Sequence, residues 1–357
     1  MPEDIRTELT VPETAASGDT VPEVPTASAR EAVGVARTVE VASSPSPTSP
    51  TPPRAVPRFA LPRFSGKLVV GLVLVIGVVL LGLVGPFFTQ DPANTENPAM
   101  LPPGGDHLLG TTALGYDVLA QLAIGTRASL WVGLLAGSIA VVLSLVFGIV
   151  AGYRAGMTDE VLSFVTNVML VIPGLPLVIV ISAFLEVRSM LVVAVVLGLT
   201  SWSGSAVILR MQAKSLRNRD YVSAARVAGE KAPRIIAVEI LPNLLPLLTA
   251  QFLFGVILAI LAEAGLSYLG LGPSGSVTLG TMLNEAQAGS ALSRGAWWWF
   301  IPPGLVIALF GCGLSLINFT IDEIINPKLR IAPAAQRNVR KARRERDAQR
   351  STEEAAA

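Results

Sequence analysis

Six long apolar runs constrain this chain more than any other feature of its sequence. They lie at 68–88, 128–152, 161–185, 190–209, 243–270 and 297–319. Each run is long enough for a helix to cross about 30 Å of hydrocarbon, which takes about 20 residues. The sequence therefore predicts an all-α polytopic membrane protein with six transmembrane helices.

Composition agrees with a membrane protein and excludes several other classes. Only 15% of the residues are charged, against about a quarter in an ordinary globular protein, and the mean hydropathy is +0.58. The net charge of +1 gives no field that would attract nucleic acid. One cysteine, Cys312, and one histidine, His107, exclude an intrachain disulfide and a Cys/His metal cluster. No cofactor or metal is expected.

The two ends of the chain differ in composition from its centre. Residues 1–57 are poor in large apolar side chains and rich in Pro, Ser and Thr, so we expect a disordered segment there. This acidic start is unlike a signal peptide, which needs a basic region and an apolar region. Residues 58–106 hold the first transmembrane helix and an outer loop, and residues 331–357 form a basic tail.

Basic residues between the runs predict the orientation in the membrane. On one side, four precede the first run, one follows the second, seven lie between the fourth and fifth, and nine follow the sixth. The other side has only Arg127, Arg188 and Arg294. Because basic loops stay in the cytoplasm, the excess predicts that both termini are cytoplasmic. Weak attraction of the basic tail to anionic membrane lipid is also expected.

Two features inside the runs are candidates for a translocation path. Pro173 and Pro176 interrupt the third run, which predicts a kink within the membrane. Glu263 is a carboxylate inside the fifth run, and an intramembrane charge is costly enough to suggest a function. Two readings of Glu263 stay open: it lines or gates a path, or it lies near the outer interface and is solvated or hydrogen-bonded.

The segment 221–242 lies between the fourth and fifth runs and contains small and basic residues. Asp220 is a candidate N-cap for a first helix, and Gly229 suits the left-handed residue that ends it. Pro233 suits the start of a second helix, which we expect to stop at Leu241-Pro242. A compact Ala-rich helix on the cytoplasmic side predicts that a soluble partner docks there. The alternative is an amphipathic connector with no partner.

The sequence offers no convincing motif for catalysis or for nucleotide binding. A G-x-G-x-x-G match at Gly270, Gly272 and Gly275 follows an apolar helical run and no strand precedes it, so we interpret it as a loop. The P-loop pattern G-x-x-x-x-G-K-[ST] is absent, and no nucleophile, base and acid group can be assembled around His107. An enzyme is therefore not expected, and energy for any transport must come from another chain or from an ion gradient.

The segment 221–242 resembles the signature loop of bacterial ABC-importer permease subunits. That loop reads roughly E-A-A, three residues, G, and then a hydrophobic stretch ending in I-x-L-P or a close variant. Ser223 stands where the family usually has glutamate, while the small-residue face is kept. The matching positions are Ala224, Ala225 and Gly229, followed by Ile240, Leu241 and Pro242.

The resemblance extends over about 220 residues, from His107 to Arg330. HLLGTTALGYDVLAQLAIGTRASLWVGLLAG is similar to a stretch of the C-type subunits of dipeptide and oligopeptide permeases. ILAEAGLSYLGLG, which contains Glu263, resembles another family stretch, and INPKLR resembles the family's terminal D-P-R-L-R. Together these matches are specific, whereas each alone is weak.

The resemblance implies a type I ABC-importer permease fold, in which 107–330 is the transmembrane domain and 210–242 its cytoplasmic coupling loop. It also implies four kinds of partner in a bacterial cell membrane: a second homologous permease subunit, two ABC ATPase subunits, an extracytoplasmic substrate-binding protein and membrane lipid. The expected path residues are Pro173, Pro176 and Glu263. The expected ATPase-coupling residues are Tyr221, Ala224, Ala225, Arg226, Gly229, Lys231, Leu241 and Pro242.

Several alternatives to a peptide importer remain at this point. The same machinery imports oligosaccharides or nickel in related systems. An ion-driven secondary transporter would show paired broken helices and several buried charges, whereas here one break and one carboxylate are found. A membrane scaffold or signalling subunit would hold a partner without moving solute.

Overall fold

The computed structural model describes residues 66–186 and 188–325. The predictions for the 1–57 segment and the 331–357 tail lie outside the described residues. In the described ranges the chain is helical, with a 3₁₀ turn at Gly85–Phe87 and a π-helix at Ile235–Ile240. The α-helices are α1 Gly66–Val84, α2 Val118–Tyr153, α3 Met157–Val171, α4 Gly174–Phe184, α5 Met190–Ser201, α6 Ser203–Arg217, α7 Asp220–Val227, α8 Ala232–Arg234, α9 Leu241–Tyr268, α10 Leu279–Ala288 and α11 Trp297–Ile325.

The helices confirm the predicted class of an all-α polytopic membrane protein. Four stretches of the described chain are long and apolar enough to cross a bilayer: Gly66–Phe87, Val118–Tyr153, Ala232–Tyr268 and Trp297–Glu323. Two bent pairs, α3 with α4 and α5 with α6, also qualify when the helices of a pair are taken together. If each pair is one span, the number of spans is six, as the hydropathy predicts.

Helix α2 begins ten residues before the predicted run. Asp117 caps it, since its side chain accepts a hydrogen bond of 2.8 Å from the backbone N–H of Ala120. The first three turns include Gln121 and Arg127. These polar side chains lower the local hydropathy, so the first part of α2 is not recognisable as an apolar run. With 36 residues, α2 is about 54 Å long and extends beyond the hydrocarbon core.

The predicted break at Pro173 is confirmed, and it is sharper than a kink. Helices α3 and α4 meet at an angle of 80°. Ile172 has ψ of 122° and Pro173 has ψ of 114°, so both are extended, as expected for a residue before proline and for a proline that precedes a helix. Pro176 lies in the first turn of α4, where an N–H would have no helical partner.

A second break was not predicted. The fourth run was expected to be one span over 190–209, but α5 and α6 meet at 45° at Trp202, and α6 continues to Arg217. The hydroxyls of Thr200 and Ser201 bond to backbone carbonyls one turn earlier, which bends helices. Trp202 is 5% exposed and its ring lies 4.4 Å from that of Phe147, so packing holds the bend.

Helices α2 and α9 run antiparallel through the centre of the described chain. Near one end, Ile149 of α2 packs with Leu244 of α9, and near the other, Ser129 bonds to Glu263. Between them, a Cβ placed on Gly133 would overlap the side chain of Ile260, so the glycine lets the two helices approach closely. Apolar clusters surround both ends, and the candidate sites lie beside them.

Candidate functional site

Helix α7 is a short helix with well-defined ends. It begins at Asp220, but the N-cap is Arg219, which makes no side-chain capping bond, so the prediction that Asp220 is the cap is wrong. Asp220 instead lies in the first turn, where its negative charge interacts favourably with the positive end of the helix dipole. At the other end, Gly229 has φ of +81°, as predicted. The N–H of Glu230 bonds to the carbonyl of Ala225 and that of Gly229 to Arg226, which is the Schellman ending.

The predicted stop at Leu241-Pro242 is wrong, because the helix continues through it. The three-residue α8 begins at Ala232, and Pro233 lies in its first turn. The π-helix Ile235–Ile240 follows, and the N–H of Leu241 bonds to the carbonyl of Ile236, five residues earlier. The wider turn places Pro242 in the first turn of α9, where its missing N–H costs little. Segment α8 and span α9 are thereby one continuous helical rod.

One side of α7 is fixed to the interior of the protein. Val222 is completely buried and lies in an apolar cluster with residues of α2, α6 and α9. Ala225 packs against the same cluster at the next turn. The other members of the cluster are Ile149, Tyr153, Leu209, Ala213, Ile235, Ile240, Leu244 and Leu248. Because α7 has only eight residues, these contacts, and not helix propensity, hold it in place.

Arginines tie α7 to the ends of α2 and α6. The guanidinium of Arg226 lies 5.2 Å from the centre of the Tyr153 ring, a cation–π contact. Its Nη2 also donates to the carbonyl of Arg217 at 3.4 Å, while Nη1 of Arg217 donates to the carbonyl of Tyr153 at 3.5 Å. The sequence-based expectation named Arg226, and the structure gives it this anchoring position.

The other side of α7 is exposed and borders an open cavity of about 420 Å³. Tyr221 is 40% exposed, and Ala224 and Ala228 present small side chains, so another surface can approach the backbone. An ion pair of 2.6 Å between Arg234 and Glu230 borders the cavity. The lining is Tyr221, Ala224, Ala225, Ala228, Glu230, Arg234, Ile235, Val238 and Glu239.

The structure brings together only part of the predicted coupling set. Tyr221, Ala224 and Ala225 line one cavity, whereas Lys231 is exposed as the N-cap of α8 and Pro242 is exposed at the start of α9. The wall of this cavity opposite α7 was not predicted, although Arg234 and Val238 contribute to it. Their spacing of four residues is the spacing expected on one face of the predicted second helix.

A second, mostly apolar cavity is lined by residues next to the two prolines, although neither Pro173 nor Pro176 lines it. It has a volume of about 360 Å³ and lies between α4, α5 and α9. One wall is formed by Gly174, Leu175 and Val178, which follow the Pro173 break in the sequence. Thr200 and Ser201, at the unpredicted bend, form another, so both helix breaks meet at this cavity.

Glu263 lies on a different face of α9 and is completely buried. One carboxylate oxygen accepts a hydrogen bond of 2.6 Å from Ser267, and the other accepts one of 3.1 Å from Ser129 of α2. Ser129 also accepts the N–H of Leu279 at 3.1 Å, at the start of α10. The carboxylate therefore joins α2, α9 and α10. A role in the path stays a prediction.

These features define a class: a multi-span helical membrane protein that carries a short helix, exposed on one side, between two of its spans. Residues 144–331 match the family described as binding-protein-dependent transport system inner membrane component. The chain belongs to this family, and its fold is the type I ABC-importer permease fold that the sequence predicted.

Named relatives match over most of their own length. The chain is 31% identical over 265 residues to the oligopeptide transport system permease protein OppC of Bacillus subtilis, covering 73% of this chain and 85% of that protein. It is 32% identical over 263 residues to the dipeptide transport system permease protein DppC of the same organism, covering 73% and 81%. It is 33% identical over 274 residues to DppC of Haemophilus influenzae, covering 73% and 90%.

Proposed function

We propose that this protein is a permease subunit of an ATP-driven importer and forms half of the translocation path for di- or oligopeptides. The relatives named as dipeptide and oligopeptide permease proteins support the substrate class. The P-loop is absent from the sequence, so two ABC ATPase subunits supply the energy. A second, homologous permease subunit completes the path, and an extracytoplasmic binding protein delivers the peptide.

The observation that carries this proposal is that α7 is fixed on one side and open on the other. Val222 and Arg226 fix it to α2 and α6, and the continuous rod from Ala232 to Tyr268 follows it. The exposed face of Tyr221, Ala224 and Ala228 is where an ATPase subunit docks. Movement of α7 on ATP binding then moves three packed helices together, which shifts the balance between inward-open and outward-open states.

The orientation follows from the side on which α7 lies. With the ATPases in the cytoplasm, α7 is cytoplasmic, as the basic residues around it indicate. Six spans are an even number, so in this proposal both termini are cytoplasmic and the end of α9 near Tyr268 is at the outer face. In this arrangement 107–330 is the transport domain, and 210–242 contains the coupling loop.

The cavity beside the Pro173 break is the part of this subunit that we assign to the path. It is open on the surface of the described chain, and exposed Leu258 and Leu261 of α9 line it. The second permease subunit covers this face. The breaks at Pro173 and Trp202 are the points at which these two spans can bend.

Adding bulk to the open face of α7 tests the proposal. Ala224→Trp should leave the spans folded, because Ala224 is exposed, but should block ATPase docking or uncouple ATP hydrolysis from uptake. Ala155→Trp, exposed in the connection between α2 and α3 and away from the cavity, is the matched control and should behave as wild type. The measurement is ATPase co-purification together with ATP-dependent uptake in proteoliposomes. Normal assembly and uptake by Ala224→Trp would refute docking at α7.

A further inference from the structure

A polar cavity of about 280 Å³ lies at the end of α9 that is far from α7. Helix α9 has 28 residues and is about 42 Å long, so the cavity and α7 lie at opposite ends of it. Its walls come from Arg188 before α5, from the loop between α9 and α10, and from α10 itself. On the proposed topology, on which this inference rests, the cavity faces the extracytoplasmic side.

Helix α10 directs its polar face toward this cavity. Thr281, Asn284 and Glu285 line it, and their spacing places them on one side of the helix. Met282 and Ala286, on the other side, are buried in the apolar cluster around α9 and α11. Thr278 and Thr281 form a capping box at the start of α10. Packing and capping thus fix the orientation of Glu285.

Two opposite charges line the cavity without neutralising each other. Nε of Arg188 is buried and has no hydrogen-bond partner among the described residues, and Nη1 makes only a long contact of 3.5 Å with the carbonyl of Gly270. Glu285 makes no side-chain hydrogen bond or ion pair within the described ranges, and burial raises the pKa of its carboxyl group. Both side chains are half-buried at the cavity wall, so a ligand that carries complementary charges would form charge-assisted contacts with them.

The loop between α9 and α10 adds further donors. Gly270 and Gly275 have φ of +78° and +70°, conformations that glycine adopts without strain. The backbone N–H groups of Ser276 and Val277 have no acceptor among the described residues, and both residues line the cavity. These amides and Arg188 supply donors for a carboxylate, and Glu285 supplies an acceptor for a cation.

We propose that this cavity binds the charged termini of a small peptide as it enters the path. Arg188 and the loop amides take the α-carboxylate, and Glu285 takes the α-ammonium group. The volume is at the lower end of the range for small-molecule sites, which suits a dipeptide. The remaining lining is Ser, Thr, Asn, Gly, Pro and Val, with no aromatic or long aliphatic residue to select a peptide side chain. Recognition of the termini alone would therefore admit peptides of many sequences.

Direct binding of blocked peptides tests the two contacts separately. The whole transporter without binding protein is placed in nanodiscs, and saturation-transfer NMR measures binding of Ala-Ala, N-acetyl-Ala-Ala and Ala-Ala-amide. Arg188→Gln should weaken Ala-Ala and N-acetyl-Ala-Ala by about tenfold or more while sparing Ala-Ala-amide, because charge-assisted hydrogen bonds are the strong ones. Glu285→Gln should weaken Ala-Ala and Ala-Ala-amide and spare N-acetyl-Ala-Ala.

Matched variants control for charge and folding. Arg294→Gln and Glu96→Gln, exposed and outside the cavity, should bind all three probes as wild type does. Arg188→Lys and Glu285→Asp keep the charges and should retain part of the affinity. The assignment fails if wild type binds none of the probes, or if each variant weakens all three equally. It also fails if the variants weaken docking of the binding protein and leave probe binding unchanged.

Uptake measurements separate this inference from the proposed function. ATP-driven uptake of Ala-Ala by the complete transporter, without terminus-dependent binding in nanodiscs, would reject the cavity assignment alone. Terminus-dependent binding with no ATP-driven uptake would reject the proposed function alone.

Discussion

At the scale of single residues, Gly229 determines how α7 ends. Its φ of +81° is in the left-handed region, and a Cβ there would meet no atom within 4 Å, so the constraint comes from the backbone and not from crowding. The Schellman bonds of Gly229 and Glu230 depend on this conformation. The sequence pattern alone predicted this feature correctly, because a helix that must turn sharply needs such a residue.

Gly229→Val should therefore disturb the corner between α7 and α8. A β-branched residue in the left-handed conformation costs about 1–2 kcal/mol, so we expect weaker ATPase assembly with the spans intact. Gly229→Asn, which tolerates this conformation, should assemble almost as wild type. ATPase co-purification measures the difference. Equal assembly of the Val and Asn variants would mean that the corner geometry does not matter for docking.

Glu263 offers a second test at this scale, since its carboxylate joins α2, α9 and α10 through Ser129 and Ser267. Glu263→Leu leaves two buried hydroxyls without their acceptor, at about 1–3 kcal/mol each. Glu263→Gln keeps an acceptor and the shape, so it should cost about 1 kcal/mol or less. Thermal unfolding of the detergent-solubilised complex, followed by tryptophan fluorescence, distinguishes them. A Leu variant as stable as wild type would show that the contacts contribute nothing.

At the scale of elements, the proposed translocation path depends on the two helix breaks, at Pro173 and at Trp202. Pro173 gives the extended residue that separates α3 from α4, whereas Pro176 occupies a position whose N–H would be unpaired in any case. Pro173→Ala combined with Pro176→Ala should let the span straighten, reducing uptake while ATPase assembly persists. Pro176→Ala alone is the control and should transport nearly as wild type. Uptake equal to wild type in the double variant would remove the break from the mechanism.

Elements predicted from the sequence fall into two groups. Spans and the proline break were predictable, because hydropathy and the missing N–H of proline act locally. The bend at Trp202, the extension of α2 to Asp117 and the helix α10 were missed, because they depend on ring packing with Phe147, on a cap outside the apolar run, and on burial against other spans. The π-helix before Pro242 was missed for a similar reason, since its wider turn has no sequence signature.

The candidate coupling site was also predicted in part. The first wall of its cavity, with Tyr221, Ala224 and Ala225, follows from helical spacing within one segment. The second wall, with Glu230, Arg234 and Val238, depends on how the chain folds back after Gly229. A single helical pattern cannot give the angle between two helices, so these residues required the structure.

At the scale of the whole molecule, the protein places two unlike surfaces at the two ends of α9. One end carries the open face of α7, and the other carries the polar cavity of Arg188 and Glu285. The antiparallel α2 and α9 connect them through buried apolar clusters. A close-packed centre of this kind transmits strain, so under the proposed function a movement of α7 would reach the other end of α9.

The most direct test of this account is peptide uptake by the reconstituted transporter. Permease subunits, ATPase subunits and binding protein are placed in proteoliposomes, and accumulation of radiolabelled Ala-Ala is measured with ATP, with a non-hydrolysable ATP analogue, or with an ion gradient alone. The account predicts accumulation only with hydrolysable ATP and binding protein, and its loss in Ala224→Trp. Accumulation driven by the ion gradient without ATP would contradict it.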